Sequence, residues 1–248
     1  MMLAMSILSL SGISLAFGDH KVLQNISFDI IEGQVVGLIG PNGSGKTTLF
    51  NVISGFLEPT GGNITFKGEN ITRLGPSVRA QRGIGRVFQN FGIFREMTLL
   101  ENVQVALEAL PRERRADLGD VRKVAKETLE MVGLADHAGK KAGSLSGGQM
   151  RLLEIARTLR SGKELFLLDE PTAGVSPKMT SQVADLIREL KKEGKTVLII
   201  EHDLPFISRI CDEVIVLDVG EVVIKGAPDN VKKSKKLQEV YFGTEVTS

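Results

Sequence analysis

Residues 35–48, VVGLIGPNGSGKTT, constrain this chain more than any other stretch. The continuous apolar run that ends at Gly40 reads as a strand buried on both faces, and such strands belong to parallel sheets covered by helices. Behind it stands GPNGSGKT, Gly40 to Thr47, which fits G-x-x-x-x-G-K-[ST] between a strand and a helix, the setting that the pattern requires. Gly40, Pro41, Asn42, Gly43, Ser44, Gly45 and Lys46 form a loop whose backbone amides can wrap phosphates, and Thr47 and Thr48 open the helix. Lys46 supplies a point charge toward β- and γ-phosphates, and the Thr47 hydroxyl can ligate Mg2+. A dinucleotide-binding turn fits less well, because G-x-G-x-x-G counted from Gly43 needs glycine at position 48, where Thr48 stands.

Strand and helix patterns alternate through the remainder. FDII reads as a strand with a turn at Glu32-Gly33, GGNITFKGENI as a hairpin, and IGRVFQ as a short strand. Residues 91–160 read as mainly helical. Thr98 and Glu101 make a capping box before LLENVQVALEAL, Pro111 to Asp120 is a charged connection, and VRKVAKETLEMVGL is a helix ending near Gly133. Strands return at ELFLLDE and KTVLIIEHD. The helix between them has Ser176 as N-cap, Pro177 in its first position and Gly194 at its end. DEVIVLDVGEVVIKG is a hairpin turning at Gly220-Glu221. The whole predicts an α/β fold with a parallel sheet covered on both faces and interrupted by a helical insertion.

Composition narrows the partners. The 248 residues suffice for one large domain or two small ones, and a formal net charge of +1 offers no bulk electrostatic case for nucleic acid. One cysteine, Cys211, excludes an intramolecular disulfide and fits a reducing compartment. The first 18 residues carry no charged side chain, yet they lack the basic start of a leader peptide and are broken by Ser6, Ser9, Ser11, Gly12 and Ser14. Leu8, Leu10, Ile13, Leu15 and Phe17 alternate instead as in a half-buried strand. No uninterrupted apolar run approaches the ~20 residues needed to span a bilayer, so any work at a membrane is done beside it. Lys232, Lys233, Lys235 and Lys236 read as a solvated helix face, with contact to anionic lipid as the second reading.

Two further stretches carry chemistry. LFLLDE places Asp169 and Glu170 at the carboxyl end of a strand, the edge where ligands collect in open α/β sheets. Asp169 suits direct or indirect Mg2+ binding, and Glu170 is then placed to polarise an attacking water. In SLSGGQMRLLEIARTL, Leu152, Ile155, Ala156 and Leu159 mark one face of a helix, and Ser146 with Gln149 forms a capping box. Gly147 and Gly148 then occupy its first turn, where each costs ~0.5–1 kcal/mol relative to Ala. Bare backbone at a positive helix end points to an anion that approaches closely.

These motifs, in this order and spacing, resemble the nucleotide-binding subunit of an ABC transporter from end to end. LSGGQ, Leu145 to Gln149, is similar to that family's signature sequence. The resemblance implies a P-loop NTPase (RecA-like) core with an N-terminal antiparallel β subdomain, over 1–90 and 161–248, and a helical subdomain over 91–160, all in a single ATP-binding domain. It implies ATP and Mg2+ as ligands. Phe17 resembles the aromatic that stacks on adenine, Gln89 the glutamine that reaches the metal and the attacking water, and His202 the histidine that contacts the γ-phosphate. AGVS, Ala173 to Ser176, occupies the D-loop, with Ser176 where an acidic or amide residue is usual.

The family also implies a head-to-tail dimer, homodimeric or with a related subunit, in which Ser146, Gly147, Gly148 and Gln149 of one chain close over ATP held by the other. It implies membrane permease subunits as partners, a substrate-binding protein engaged indirectly, no nucleic acid, and a peripheral place on the cytoplasmic face of the membrane. The permease contact falls on the insertion and on NFGIFREMTLLENV, whose Phe91, Ile93, Phe94 and Met97 are either docking surface or packing. GLIGPNGSGKTTLFNVISGF, RGIGRVFQN and a closing VYFG are most similar to the branched-chain amino-acid importer type, with the lipopolysaccharide-extracting type as the alternative. A chromosome-maintenance ATPase would need a long coiled-coil insertion and a translation-factor type a second cassette; neither is present.

Overall fold

The computed structural model describes residues 5–87, 92–110, 112–116, 118–160 and 162–242. In chain order its elements are β1 (Ser6–Phe17), β2 (His20–Ile31), β3 (Val35–Ile39), α1 (Lys46–Ser54), β4 (Gly61–Phe66), β5 (Glu69–Asn70), α2 (Pro76–Arg82) and β6 (Ile84–Val87). Four helices follow: α3 (Leu99–Glu108), α4 (Arg112–Ala116), α5 (Val121–Met131) and α6 (Gly147–Leu159). The chain then returns through β7 (Leu165–Asp169), α7 (Pro177–Lys192), β8 (Thr196–Ile200), α8 (Leu204–Ile210), β9 (Glu213–Asp218), β10 (Glu221–Gly226), α9 (Pro228–Lys232) and α10 (Lys235–Phe242).

The strands form a four-stranded antiparallel sheet, β2-β1-β4-β5, and a six-stranded sheet, β10-β9-β3-β8-β7-β6. In the second, every pairing is parallel except that of edge strand β10 with β9. Its central strands are buried along their whole length. The period-2 alternation of a strand divides their side chains between two cores. Val35, Ile39, Phe166, Leu168, Val197, Ile199, Val214 and Val216 face a cluster shared with α3, α5, α6, α7 and α8. Val36, Leu38, Leu165, Leu167, Leu198, Ile200, Ile215 and Leu217 face the other cluster, where α1 packs among residues of β1, β2 and β4.

Local signals hold at most boundaries. Thr98 accepts from the Glu101 amide and Ser146 from the Gln149 amide, each within a complete capping box, and Ser176 caps α7 with Pro177 in its first position. Two expectations are corrected. The segment from Pro111 to Asp120 is not simply a connection, since RERRA forms α4; Arg, Glu and Ala are all strong helix formers. The last hairpin turns at Val219-Gly220 rather than Gly220-Glu221, because Glu221 already pairs with Asp218. A two-residue turn of this hand needs positive φ at both central positions, and Val219 (φ 43°) and Gly220 (φ 77°) supply it.

No helix among the described residues is long and apolar enough to cross a membrane.

Candidate functional site

The carboxyl ends of β3, β8 and β7 lie side by side, with Leu38 and Asp169 both in register with Ile200. The topology therefore brings the loop after β3, the acidic pair at the end of β7 and His202 just past β8 to one edge of the sheet. Ligands gather at that edge in doubly wound folds.

The loop from Gly40 to Gly45 is held open by neighbours that only glycine tolerates. At Gly40 (φ 152°) a β-carbon would strike the Leu217 carbonyl, and at Gly45 (φ 102°) it would come within 2.9 Å of the Leu23 side chain. Lys46 begins α1 and is buried; its ammonium donates to the Gly40 and Pro41 carbonyls, each at 2.8 Å. Burial draws its pKa down, and the nearby charges of Glu170 and Asp169 oppose that shift. Asn42, Gly43 and Thr47 are exposed, while Pro41 and Thr48 are half-buried. Ser44 is buried, and its hydroxyl has no hydrogen-bond partner among the described residues. An orphaned donor inside a phosphate-shaped loop is what an absent ligand oxygen would satisfy.

Asp169 is 3% exposed. Burial raises its pKa; the Arg86 guanidinium, 3.3 Å away, pulls the other way. Glu170 has φ 47°, a left-handed conformation uncommon outside glycine. Its Oε1 lies 2.8 Å from His202 Nε2. Two arginines and a carboxylate that sequence reasoning passed over surround this pair. Arg86, inside the strand IGRVFQ, also donates to Asn51 of α1 at 2.6 Å. Arg151, on α6, donates to the Glu170 carbonyl at 3.3 Å and pairs with Glu154 at 3.1 Å. Glu201, 4% exposed, accepts from the Thr172 amide at 2.8 Å and so ties the segment after Glu170 to the end of β8. The only sequence signal for them was a charge inside a stretch otherwise destined for the core.

The other described residues predicted for the site stand on β1, at the start of α6 and at the start of α7. Phe17 ends β1 and is 55% exposed, so it is not a core residue of the strand. Ser146 and Gly147 are exposed and Gln149 half-buried at the start of α6. Gly148 is buried: a β-carbon there would come within 2.5 Å of the Met179 sulfur on α7, whereas at Gly147 it would meet nothing within 4 Å. The two glycines therefore have different reasons, and only Gly147 leaves its backbone open to an incoming group. Ser176, the last residue of AGVS, serves as the cap of α7. Gln89 and Phe91 lie outside the described residues. Of the apolar segment beyond them, Ile93 is buried in the core, while Phe94 and Met97 are 44% and 38% exposed. No group of three or more His, Cys, Asp or Glu suited to a metal ion occurs among the described residues.

An acidic pair two strands away from a lysine-bearing phosphate loop, at the carboxyl edge of one parallel sheet, is the plan of a phosphate-loop nucleoside triphosphatase. The family model for ABC transporters matches residues 23–173, and the chain belongs to that family as an ATP-binding, ATP-hydrolysing subunit. It is 37% identical over 250 residues to the high-affinity branched-chain amino acid transport ATP-binding protein LivG of Salmonella typhimurium, covering 96% of this chain and 98% of that protein. It is less similar, at 34% over 245 residues, to the lipopolysaccharide export system ATP-binding protein LptB of Haemophilus influenzae, covering 97% and 99%. Among solved structures it resembles the ADP conformation of MJ1267, an ATP-binding cassette of an ABC transporter, with a TM-score of 0.84 and 36% identity over 96% of this chain and 99% of that one. It also resembles a dimeric post-hydrolysis state of the cassette MJ0796 bound to ADP and Pi, with a TM-score of 0.75 and 31% identity over 89% and 98%.

Proposed function

We propose that this chain powers the import of branched-chain amino acids through separate membrane permease subunits, from the cytoplasmic face of the membrane, as a head-to-tail dimer. The likeness to LivG supports the cargo, and the likeness to the MJ0796 dimer supports the assembly. The observation that carries the mechanism is the 2.8 Å contact between Glu170 and His202 at the edge that holds Lys46.

In this reading the amides of Gly43 to Thr48 and the Ser44 hydroxyl bind the phosphates, Lys46 neutralises their charge, and Phe17 stacks on the base. Glu170 accepts a proton from the attacking water, a role that typically contributes ~10²–10⁴-fold, and His202 donates toward the γ-phosphate. The donor set available for Mg2+ is one hydroxyl, Thr47, one carboxylate, Asp169, and the Gln89 amide; such a sparse set suits an ion that takes most of its ligands from phosphates and water. When bound, Mg2+ would neutralise part of the charge of the phosphates. Ser146, Gly147 and Gln149 would close on ATP held by the second chain, so that γ-phosphate bridges the two copies and hydrolysis releases them. A cavity of about 480 Å³ bordered by Phe56, Arg86, Gly92, Glu154 and Arg157, with Phe56 52% exposed, suits a permease element.

The test is Glu170→Gln. It keeps the shape and removes the base, so the variant should bind ATP, hydrolyse it at least ~10²-fold more slowly, and elute as a dimer in ATP. A monomer with ordinary turnover would refute the assignment. For the cargo, deleting the gene should abolish uptake of labelled leucine, and unchanged uptake would exclude it.

A further inference from the structure

The closing stretch VYFG has no part in the mechanism so far. Its Tyr241, the only tyrosine in the chain, lies on α10, the last described helix. The Tyr241 hydroxyl accepts a hydrogen bond from the Gly40 amide at 3.1 Å, across 201 positions of sequence. The ring is half-buried and packs against the core beneath the parallel sheet, beside Val240. Phenylalanine would fill that space as well; what tyrosine adds is a hydroxyl that must find a partner when buried. Burial raises the phenol's pKa, which keeps the hydroxyl neutral at physiological pH. Gly40 is thus held on three sides: Tyr241 at its amide, Lys46 at its carbonyl, and the Leu217 carbonyl where a β-carbon would stand.

We propose that Tyr241 is a positioning residue for the phosphate loop, and that α10 is a strap whose docking sets how tightly that loop holds a nucleoside triphosphate. The hydrogen bond fixes the peptide between Ile39 and Gly40, at the root of the loop, and Lys46 holds the carbonyl of the next peptide, Gly40 to Pro41. A loop free to rotate at that peptide must be ordered when the ligand arrives, and affinity falls accordingly. The proposal rests on the reading of Gly40 to Thr48 as the ATP site.

The test uses the full chain and Tyr241→Phe, with ATP as ligand. Loss of one ordinary hydrogen bond predicts about a threefold to tenfold rise in both Kd and KM, with kcat kept within about twofold. A residue that only supported the fold would lower kcat along with the melting temperature. In the unaltered chain, exchange of the Gly40 amide should track that of the α10 amides as denaturant is added, a readout that needs no variant to fold. Unchanged Kd and KM in Tyr241→Phe, a kcat loss as large as the KM change, or Gly40 exchange independent of α10 would each overturn the strap. If the unaltered chain itself fails to bind ATP, the ATP site falls instead; if it binds and the variant binds equally, only the strap does.

Discussion

Adjacent glycines at the start of α6 should respond to the same substitution in opposite ways. Gly147 is exposed, and a β-carbon there meets nothing within 4 Å. Gly147→Ala therefore recovers helix propensity at no packing cost, about 0.5–1 kcal/mol, or roughly 1–4 °C in melting temperature for a chain of this size. If a triphosphate held by a second copy packs on this backbone, the added methyl crowds it, and overpacking of about 1–3 kcal/mol lowers turnover by about 5- to 150-fold. Gly148→Ala gains the same propensity, but its methyl would lie 2.5 Å from the Met179 sulfur and 3.5 Å from a Val175 methyl. Met179 can yield because it is flexible, so the net cost is about 0–2 kcal/mol. Thermal melts paired with steady-state ATPase rates over a range of protein concentrations read both effects. Gly147→Ala with a raised melting temperature and full turnover would refute the argument that something anionic closes over that backbone.

Three further outcomes follow from the same geometry. Lys46→Ala removes a charge-assisted contact to phosphate and should weaken ATP binding by roughly 10- to 150-fold in calorimetry; unchanged affinity would contradict the loop assignment. Phe17→Ala should leave the melting temperature nearly unchanged, because the ring is exposed, yet weaken ATP binding by an amount worth about 1–3 kcal/mol of stacking, while Phe17→Tyr restores it. Arg79, 1% exposed, donates to the Val52 and Ile53 carbonyls at the end of α1 and to those of Thr72 and Leu74, all within 2.6–2.8 Å. Arg79→Met orphans those acceptors and should cost about 3–5 kcal/mol, with a loss under ~1 kcal/mol counting against it. Burial draws Arg79 down from the ordinary arginine value to about 10, so folded and unfolded chains both keep it charged below pH 9. The loss should accordingly be flat from pH 5 to 9, since the native state binds fewer protons than the unfolded one only between the two values.

Much of this site was legible along the chain because its parts are local. A phosphate loop is one turn between one strand and one helix, and Gly40 to Thr48 are consecutive. Capping boxes span four residues, so Thr98 with Glu101 and Ser146 with Gln149 could be paired by counting. The misplaced turn at Gly220-Glu221 failed for a different reason. Glycine marks where positive φ is easy, but the register of β9 with β10 decides which neighbour shares the turn, and here it forces Val219 into that role.

Periodicity thus predicted the strand–helix alternation, and local spacing the glycine-rich turn from Gly40 to Thr48, both of which depend on residues within a few positions of one another, while the resemblance to the family rested on motifs strung along the whole chain. Only the folded chain revealed why Gly148 is glycine, since Met179 reaches it from another helix. The same holds for Arg86 against Asp169, separated by 83 positions, Arg151 against Glu170, and Tyr241 against Gly40. Such contacts are decided by which elements the sheet order and the two cores bring together, and a polar side chain's spacing along the chain carries no mark of the partner it meets across the fold.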